Sequence, residues 1–316
     1  MEYQNEHIVF GANGPLGRAV VKVLQKKGVS ILAVSRSGGG DHGPGVESMA
    51  ADAMDADTVK HVCKNASTIY HCMNTPYSTW AETHVQIMNG LLAGVKDSGA
   101  KFIYGDNLYA YAPQADGHYN EDLPWAPETK KGKIRAELLN MIEAESAAHG
   151  FPFAVGMASD FYGPHVTDNG HLGSLVIGRA LDGKSAQIVA DPDLPHSFTY
   201  INDMAEDLVT LALDERANGQ SWHVRNAPVQ TFREIIQMIG TIIDSEVKIQ
   251  TMPSLLLHLM GWFNKDIAEI REMLYQFKQP FIISDEKFRQ TFGGEATSLE
   301  QGLRTTIDWY KQQVVE

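Results

Sequence analysis

A glycine-rich turn near the start of the chain is the feature that most restricts its fold. The apolar segment HIVFG (7–11) runs directly into GANGPLGRAVVKVL, where Gly11, Gly14 and Gly17 follow one another at intervals of three residues. Glycine lets the backbone turn tightly after a strand and lets the following helix pack closely on that strand. The order of strand, glycine turn and helix therefore predicts a βα unit within a parallel sheet.

The first 160 residues continue this alternation of short apolar runs and amphipathic segments. Strands are predicted at 7–11, 29–35, 46–50, 67–72, 100–105 and 151–158. Helices are predicted between them at 15–27, 55–64, 79–98 and 129–148. Strands that alternate with helices are typical of an α/β fold. We predict a Rossmann-type doubly wound parallel sheet.

The pattern loosens after residue 160, but no linker, repeat or low-complexity segment separates a second domain. Further strands are predicted at 185–190, 197–201 and 221–226, helices at 173–182 and 202–215, and a mostly helical tail at 228–316. We therefore expect a smaller, mostly helical C-terminal lobe that is interwoven with the sheet. The predicted division is a Rossmann domain at 1–165 and 198–227, with a substrate lobe at 166–197 and 228–316.

The glycine turn has the arrangement that a dinucleotide requires. A turn without side chains lets the backbone approach a pyrophosphate, and the amides at the helix N-terminus then bind the anion. An ordinary βα turn without a ligand is the alternative, but the position between the first strand and an amphipathic helix favours the dinucleotide. The predicted cofactor contacts in this turn are Gly11, Asn13, Gly14, Pro15, Leu16 and Gly17.

The end of the second strand indicates which dinucleotide is preferred. NAD-binding proteins usually carry an acidic residue there, but AVSRSGGG has Ser35 and Arg36 and no carboxylate before Asp41. Because the guanidinium fork of arginine suits a ribose 2′-phosphate, NADP is favoured and NAD remains the alternative. Asp52 and Ala53 follow the third strand, where the carboxylate could accept a hydrogen bond from the adenine amine.

Composition restricts the partners. With 26 Lys and Arg against 39 Asp and Glu, the formal charge of −13 argues against nucleic acid and anionic membranes. No apolar run approaches the roughly 20 residues of a membrane-spanning helix, and MEYQNEHIVF does not resemble a signal peptide. Two cysteines without a CxxC motif fit a reducing compartment, so we expect a cytoplasmic protein without a disulfide or metal site.

Several segments together resemble the extended short-chain dehydrogenase/reductase superfamily, specifically its NAD(P)-dependent epimerase/dehydratase branch. They are GANGPLG, the Ala51-Asp52 dipeptide, SDFYGP (159–164) and SFTYINDMAEDLV (197–209). The resemblance implies a Rossmann domain, a smaller substrate lobe and a cleft that holds a small organic or sugar-type substrate. Related folds often dimerise through the helices after strands four and five, here 79–98 and 129–148, which leaves a homodimer open.

The resemblance also implies a catalytic set of Ser or Thr, Tyr and Lys, with the tyrosine four residues before the lysine. Lys133 takes the lysine position because Glu137 follows at the family spacing, but Thr129 stands at the tyrosine position. Asn107 stands at the serine position. A threonine hydroxyl is a poor proton source near neutral pH, whereas an asparagine amide can still polarise a carbonyl group.

Other side chains are candidates for substrate contacts. Tyr77, Tyr109 and Tyr162 follow the fourth, fifth and sixth strands, and the resemblance places His196 where the family lines its pocket. Each could instead be a packed core residue. Asp106 could act as an acid or base, or cap a turn. The proton donor therefore stays unassigned at this level.

The basic segment PETKKGKIRAE (127–137) separates into two parts. Lys133 is expected beside the nicotinamide ribose, whereas Lys130, Lys131 and Arg135 are predicted to form a solvated helix face. These features predict an NADP(H)-dependent oxidoreductase or an epimerase. The alternative is a catalytically weak or inactive NADP(H)-binding redox sensor, which would tolerate the loss of both Tyr and Ser.

Overall fold

The computed structural model describes residues 7–189, 191–252, 269 and 271–313. The chain forms two compact units. The first comprises Met1–Tyr111, Trp125–Ala158 and Met204–Val224, and the second comprises Ala112–Pro124, Ser159–Asp203 and Arg225–Glu316. The functional division into a Rossmann domain and a substrate lobe, with the predicted boundaries, stays a prediction.

A central sheet of seven strands organises the first unit. Its strands, in chain order, are β1 (His7–Phe10), β2 (Ile31–Ser35), β3 (Val46–Ala50), β4 (Thr68–His71), β5 (Lys101–Asn107), β6 (Phe153–Ala158) and β7 (Gln220–His223). The helices are α1 (Pro15–Lys27), α2 (Ala56–Cys63), α3 (Trp80–Ser98), α4 (Lys130–His149) and α5 (Ile201–Leu213). These elements confirm the predicted fold class, and most of their ends lie within two residues of the predicted ones.

The spatial order of the strands is β7-β6-β5-β4-β1-β2-β3, with every pair parallel. Chain direction across the sheet reverses beside β1, whose His7 pairs with Ile31 of β2 on one side and Thr68 of β4 on the other. In open α/β sheets, ligands bind at the carboxyl ends of the strands on either side of such a reversal. The topology therefore places the candidate site at the ends of β1 and β4.

The central strands read as continuous apolar runs because helices cover both faces of a parallel sheet. β1 and β4 are buried throughout, and so are the first four residues of β2. β5 is longer than predicted and includes Asp106 and Asn107. Those two polar residues are therefore fixed by the sheet and do not begin a loop.

The second unit combines helices with short strand pairs. The predicted helix at 173–182 is a π-helix at Gly173–Gly178, followed by a short α-helical turn at Arg179–Leu181. Its longer helices are Phe232–Ile243, Glu286–Phe292 and Leu299–Gln313. The strand pairs join Asp160–Tyr162 to Phe198–Tyr200, Pro195–His196 to Gln230–Thr231, Ala186–Ile188 to Ile249–Thr251 and His118–Tyr119 to Ile282–Ile283.

Across the described ranges, none of the helices has the length and hydropathy needed to cross a membrane.

Candidate active site

The glycine turn after β1 is held by contacts that exclude larger side chains. Gly11 has a φ of +82°, and a Cβ atom there would lie 2.9 Å from the Cys72 backbone after β4. A Cβ atom on Gly17 would overlap the Gly11 carbonyl oxygen. Gly14 donates its N–H to that same oxygen at 2.9 Å. The glycines thus let α1 begin directly against the end of β1.

The first turn of α1 offers its amides to an anion. Gly14 is the N-cap residue, with extended φ and ψ of −76° and 166°, and it has no side chain to bond the amides that follow. Pro15 occupies the first helical turn, where a missing N–H costs nothing. Leu16 packs near Gly105 of β5. The N–H groups at a helix N-terminus and a glycine cradle fit the pyrophosphate of a dinucleotide.

The loop after β2 folds back on the glycine turn through Asn13. The Asn13 side-chain amide donates to Ser35 Oγ at 3.0 Å and to the Gly39 carbonyl oxygen at 2.6 Å. Its Oδ1 lies 3.0 Å from His42 Nε2. Burial and nearby Arg18 lower the pKa of His42 despite the opposing effect of Asp41. Arg36 is exposed in this loop, and its contact with a ribose phosphate stays a prediction.

The segment after β3 is ordered by local contacts. Asp52 is exposed, and its Oδ1 accepts the Met54 N–H at 3.0 Å. Ala53 is buried, and Gly90 of α3 packs against its carbonyl oxygen. This contact leaves no room for a side chain at position 90. The proposed adenine contact of Asp52 stays a prediction.

Thr129 and Lys133 lie at the start of α4. Thr129 is the N-cap residue, and its Oγ1 accepts the Gly132 N–H at 3.0 Å. Helix capping therefore accounts for the presence of a hydroxyl residue at position 129. Lys133 and Glu137 are both exposed on the helix. Their places in the catalytic set stay predictions.

The predicted solvated face of α4 is wrong for two of its three cations. Lys130 is exposed, but Lys131 and Arg135 are only 2% and 4% exposed. They lie four residues apart on the helical stripe that also buries Leu138 and Ile142. The two cations therefore face the interior of the first unit, because they have partners on the strands and loops beneath α4.

Arg135 forms a buried ion pair with the end of β5. Its Nη1 lies 3.1 Å from Asp106 Oδ1, and both side chains are almost completely buried. The guanidinium also donates to the Tyr104 hydroxyl and lies 4.3 Å from the centre of the Trp80 ring. Burial raises the pKa of Asp106, and Arg135 opposes that shift. The pair fixes α4 against the strand that carries Asn107.

Two buried histidines flank this ion pair. Burial lowers the pKa of His71 to about 3 and that of His84 to about 2, and the charge of Arg135 adds to both effects. His71 Nδ1 accepts the Met73 N–H at 3.2 Å, which requires an unprotonated nitrogen there. Neither ring nitrogen of His84 has a hydrogen-bond partner among the described residues. Both histidines are therefore neutral in the folded protein at ordinary pH.

Tyr77 and Tyr109 are brought together by the ends of β4 and β5. Their hydroxyl oxygens are 2.8 Å apart, so one hydroxyl donates to the other. The Tyr77 ring stacks on Trp80 at 4.9 Å, and Lys131 Nζ lies 5.1 Å from the Tyr77 ring centre. Asn107 Oδ1 accepts the Tyr109 N–H at 3.0 Å, which leaves the Asn107 amide to act as a donor. We call Tyr77 and Tyr109 the tyrosine pair.

The other two predicted substrate contacts belong to the second unit. His196 is buried between the rings of Phe277 and Phe281, and its Nε2 lies 2.7 Å from Asp160 Oδ2. Burial alone would raise the pKa of Asp160, but His171 and His196 hold it below its ordinary value.

Tyr162 is 1% exposed, and its hydroxyl points to the position where Gly302 lacks a side chain. Burial raises the pKa of Tyr162 above its ordinary value. The proposed substrate contacts of Tyr162 and His196 stay predictions.

Sequence reasoning missed Lys131 and Arg135 as buried neighbours of Tyr77 and Asp106. One signal was available, since positions 131, 135, 138 and 142 follow the spacing of one helical face. The partners Tyr77 and Asp106 come from distant segments and left no such periodic signal. For Lys131 and Arg135, therefore, helical spacing was a better guide to burial than hydropathy.

A seven-stranded parallel sheet with a glycine turn at its reversal point defines a dinucleotide-binding class of protein. The model of the NAD dependent epimerase/dehydratase family matches residues 7–226. The chain belongs to the NAD dependent epimerase/dehydratase family.

Among curated proteins, the chain is 26% identical over 173 residues to a UDP-N-acetyl-alpha-D-glucosaminuronate decarboxylase of Bacillus cytotoxicus, covering 52% of this chain and 48% of that protein. It is 24% identical over 220 residues to dTDP-glucose 4,6-dehydratase 1 of Escherichia coli, covering 65% and 56%. The chain thus spans about half the length of the curated relatives it matches.

Solved structures support the fold. A dTDP-glucose 4,6-dehydratase from Bacillus anthracis, in complex with NAD, superposes with a TM-score of 0.78 at 18% identity, covering 98% of this chain and 97% of that one. A UDP-N-acetylglucosamine 4-epimerase from Methanobrevibacter ruminantium gives a TM-score of 0.80 at 16% identity, covering 99% and 100%. At these identities, the likeness concerns the fold alone.

Proposed function

We propose that this chain binds NADP(H) and uses it to oxidise, reduce or epimerise a small sugar-type substrate, such as a nucleotide sugar. The observation that carries the proposal is the glycine turn at the reversal point of the sheet, with Arg36 after β2 in place of an acidic residue. Relatives named as sugar-nucleotide decarboxylases and dehydratases support the substrate class.

In this proposal each part of the cofactor is bound by different residues. The amides of the first turn of α1 hold the pyrophosphate, and Ser35 with Arg36 holds the ribose phosphate. Asp52 accepts a hydrogen bond from the adenine, and Lys133 bonds the nicotinamide ribose. The Asn107 amide polarises the reacting carbonyl group. The bound nicotinamide supplies or accepts the hydride.

The reaction type is tested by turnover. The purified protein is incubated with NADPH or NADP⁺ and a panel of UDP- and dTDP-sugars, and both the nucleotide and the sugar are analysed. An epimerase or dehydratase returns its cofactor within each cycle, whereas an oxidoreductase consumes it in proportion to product. Binding of NADPH without change in any sugar, together with NADPH-dependent capture of a protein partner, would instead favour the redox-sensor alternative.

Arg36 is expected to select NADPH over NADH. Charged hydrogen bonds contribute about 1.5–3 kcal/mol, so Arg36→Ala should weaken NADPH binding by about 10–100-fold and leave NADH binding unchanged. Calorimetric titration of both nucleotides measures the ratio. Lys27→Ala removes another exposed cation, at the C-terminal end of α1, and serves as the control. Equal losses for NADPH and NADH would contradict the assignment of Arg36 to the phosphate.

A further inference from the structure

We propose that Asn13 and His42 form a clamp that positions Arg36 for the ribose phosphate of NADP(H), so that His42 helps to determine cofactor specificity without touching the cofactor. This inference rests on the proposed function and adds two positioning residues to that site. It also accounts for the run of three glycines in AVSRSGGG, which the predicted cofactor contacts leave unexplained.

Both amide N–H groups of the Asn13 side chain are used by the loop after β2 (36–45). They donate to the Gly39 carbonyl oxygen at 2.6 Å and to Ser35 Oγ at 3.0 Å, with a longer contact to Ser37 Oγ at 3.4 Å. Because the carbonyl oxygen can only accept, the atom beside it must be the Asn13 nitrogen. The Asn13 side chain therefore holds this loop, and its donors are not free for a dinucleotide.

His42 completes the clamp from the far end of the loop. Asn13 Oδ1 is an acceptor, so His42 Nε2, which lies 3.0 Å from it, must carry the hydrogen. Two side chains of α1 hold the same segment. Gln25 donates to the His42 carbonyl oxygen at 2.7 Å, and Arg18 donates to the carbonyl oxygens of Asn13 and Asp41 at 3.1 and 3.3 Å. The loop is thus fixed to the glycine turn and to α1.

Two of the three glycines let the loop lie this close. Gly40 has a φ of +135°, and a Cβ atom there would overlap Asn13 Oδ1 and lie 2.8 Å from His42 Nε2. A Cβ atom on Gly38, whose φ is +66°, would lie 2.8 Å from the backbone of β3. Gly39 has no such restriction, because its φ lies outside the left-handed region and a Cβ atom there would meet nothing within 4 Å. The clamp therefore explains Gly38 and Gly40.

Arg36 lies at the start of this anchored loop. Ser35 precedes it, and Ser35 Oγ accepts both the Asn13 amide and the Gly38 N–H, the latter at 3.1 Å. Arg36 is exposed, so the backbone that carries it decides where its guanidinium group can reach. A bidentate bond to phosphate depends on geometry, and holding the loop in advance lowers the cost of forming that bond. NADH lacks the phosphate, so its affinity should not depend on the clamp.

Cofactor selectivity tests the role of His42. In calorimetric titrations, His42→Ala should weaken NADPH binding by about 2–10-fold, the usual contribution of one hydrogen bond, and change NADH binding by less than about 2-fold. His42→Gln should keep most of the wild-type selectivity, because its amide can also donate to Asn13 Oδ1. His61→Ala removes an exposed histidine of α2 and serves as the control.

A pair of glycine substitutions tests the clamp without removing a polar group. Gly40→Ala should reduce the preference for NADPH at least as much as His42→Ala does. Gly39→Ala, one residue away, should keep the wild-type preference because its Cβ atom has room. Thermal unfolding is measured on each variant, so that a loss of selectivity is scored only on folded protein.

A double substitution tests whether the clamp acts through Arg36. In the Arg36→Ala background, His42→Ala should change NADPH affinity by less than about 2-fold, because the residue that it positions is gone. Additive losses in the double variant would overturn the proposal. So would equal losses of NADPH and NADH affinity in His42→Ala, which would mean that His42 only supports the glycine turn.

The proposed function and the clamp can be separated by these titrations. If the wild-type protein does not bind NADPH, or if Arg36→Ala keeps the preference for NADPH, the cofactor assignment fails and the clamp fails with it. If Arg36→Ala loses the preference while His42→Ala and Gly40→Ala keep it, only the clamp fails.

Discussion

Arg135→Met is expected to lower the free energy of unfolding by about 3–5 kcal/mol, the usual cost of removing one partner of a buried ion pair. The loss arises because the Asp106 side chain is fully buried and loses the cation that lies 3.1 Å from it. Its carboxylate must then either stay charged without a partner or take up a proton, and its pKa rises further. Methionine preserves most of the length and apolar contact of the arginine stem, so the change isolates the charge. Urea unfolding of the variant and the wild type measures the difference.

A second substitution separates the ion pair from general packing damage. In Asp106→Asn with Arg135→Met, no buried charge is left without a partner, so part of the lost stability should return. Lys133→Met, on the exposed side of the same helix, should change stability by no more than about 0.5 kcal/mol. If the double variant were no more stable than Arg135→Met alone, the charge would not be the cause.

Acid should destabilise this protein through its buried histidines. His71 and His84 have an ordinary pKa of 6.5 when unfolded, and burial lowers these pKa values to about 3 and about 2 when folded. Below about pH 6.5 the unfolded chain therefore binds more protons than the folded one, so stability falls as pH falls. Each histidine contributes a loss of about 1.4 kcal/mol per pH unit until its folded pKa is reached.

His84→Leu tests this account. Leucine has no group to protonate and leaves no unpaired ring nitrogen in the core, so stability between about pH 6 and 4 should fall less steeply, by about 1.4 kcal/mol per pH unit. Urea unfolding at a series of pH values gives the slope. His61→Leu replaces an exposed histidine and should keep the wild-type slope. A His84→Leu slope equal to that of the wild type would show that His84 is protonated in the folded state.

Local sequence patterns were sufficient to predict most strands of the central sheet and the helices between them. The strands from β1 to β6 and the helices α1 to α4 follow from apolar runs, helical periodicity and the glycine turn, because each of these acts over a few residues. The end of β5 was less predictable, since Asp106 and Asn107 are polar and looked like the start of a loop. Their ladder with β6 is a contact between distant segments.

The candidate site was predicted only in part. The cofactor turn could be assigned because its glycines and helix are consecutive, whereas the tyrosine pair joins residues 77 and 109 through the order of β4 and β5. Lys131 and Arg135 were misplaced because hydropathy assigns cations to the surface. Only the fold shows that Lys131 lies over the Tyr77 ring. It also shows that Arg135 contacts Asp106, the Trp80 ring and the Tyr104 hydroxyl.

Binding of NADPH at the glycine turn is the claim on which the whole account depends. Calorimetric titration of NADPH into the wild-type protein and into Gly14→Asp tests it most directly. A Cβ atom at position 14 would lie 3.3 Å from the Gly11 carbonyl oxygen, but aspartate suits an N-cap residue with extended φ and ψ, and we expect its capping bond to offset that close contact. Its carboxylate then competes with the pyrophosphate for the same amides. We predict one NADPH bound per wild-type chain and at least about 10-fold weaker binding to Gly14→Asp, with unchanged thermal unfolding. No binding by the wild type, or equal affinity in both proteins, would contradict it.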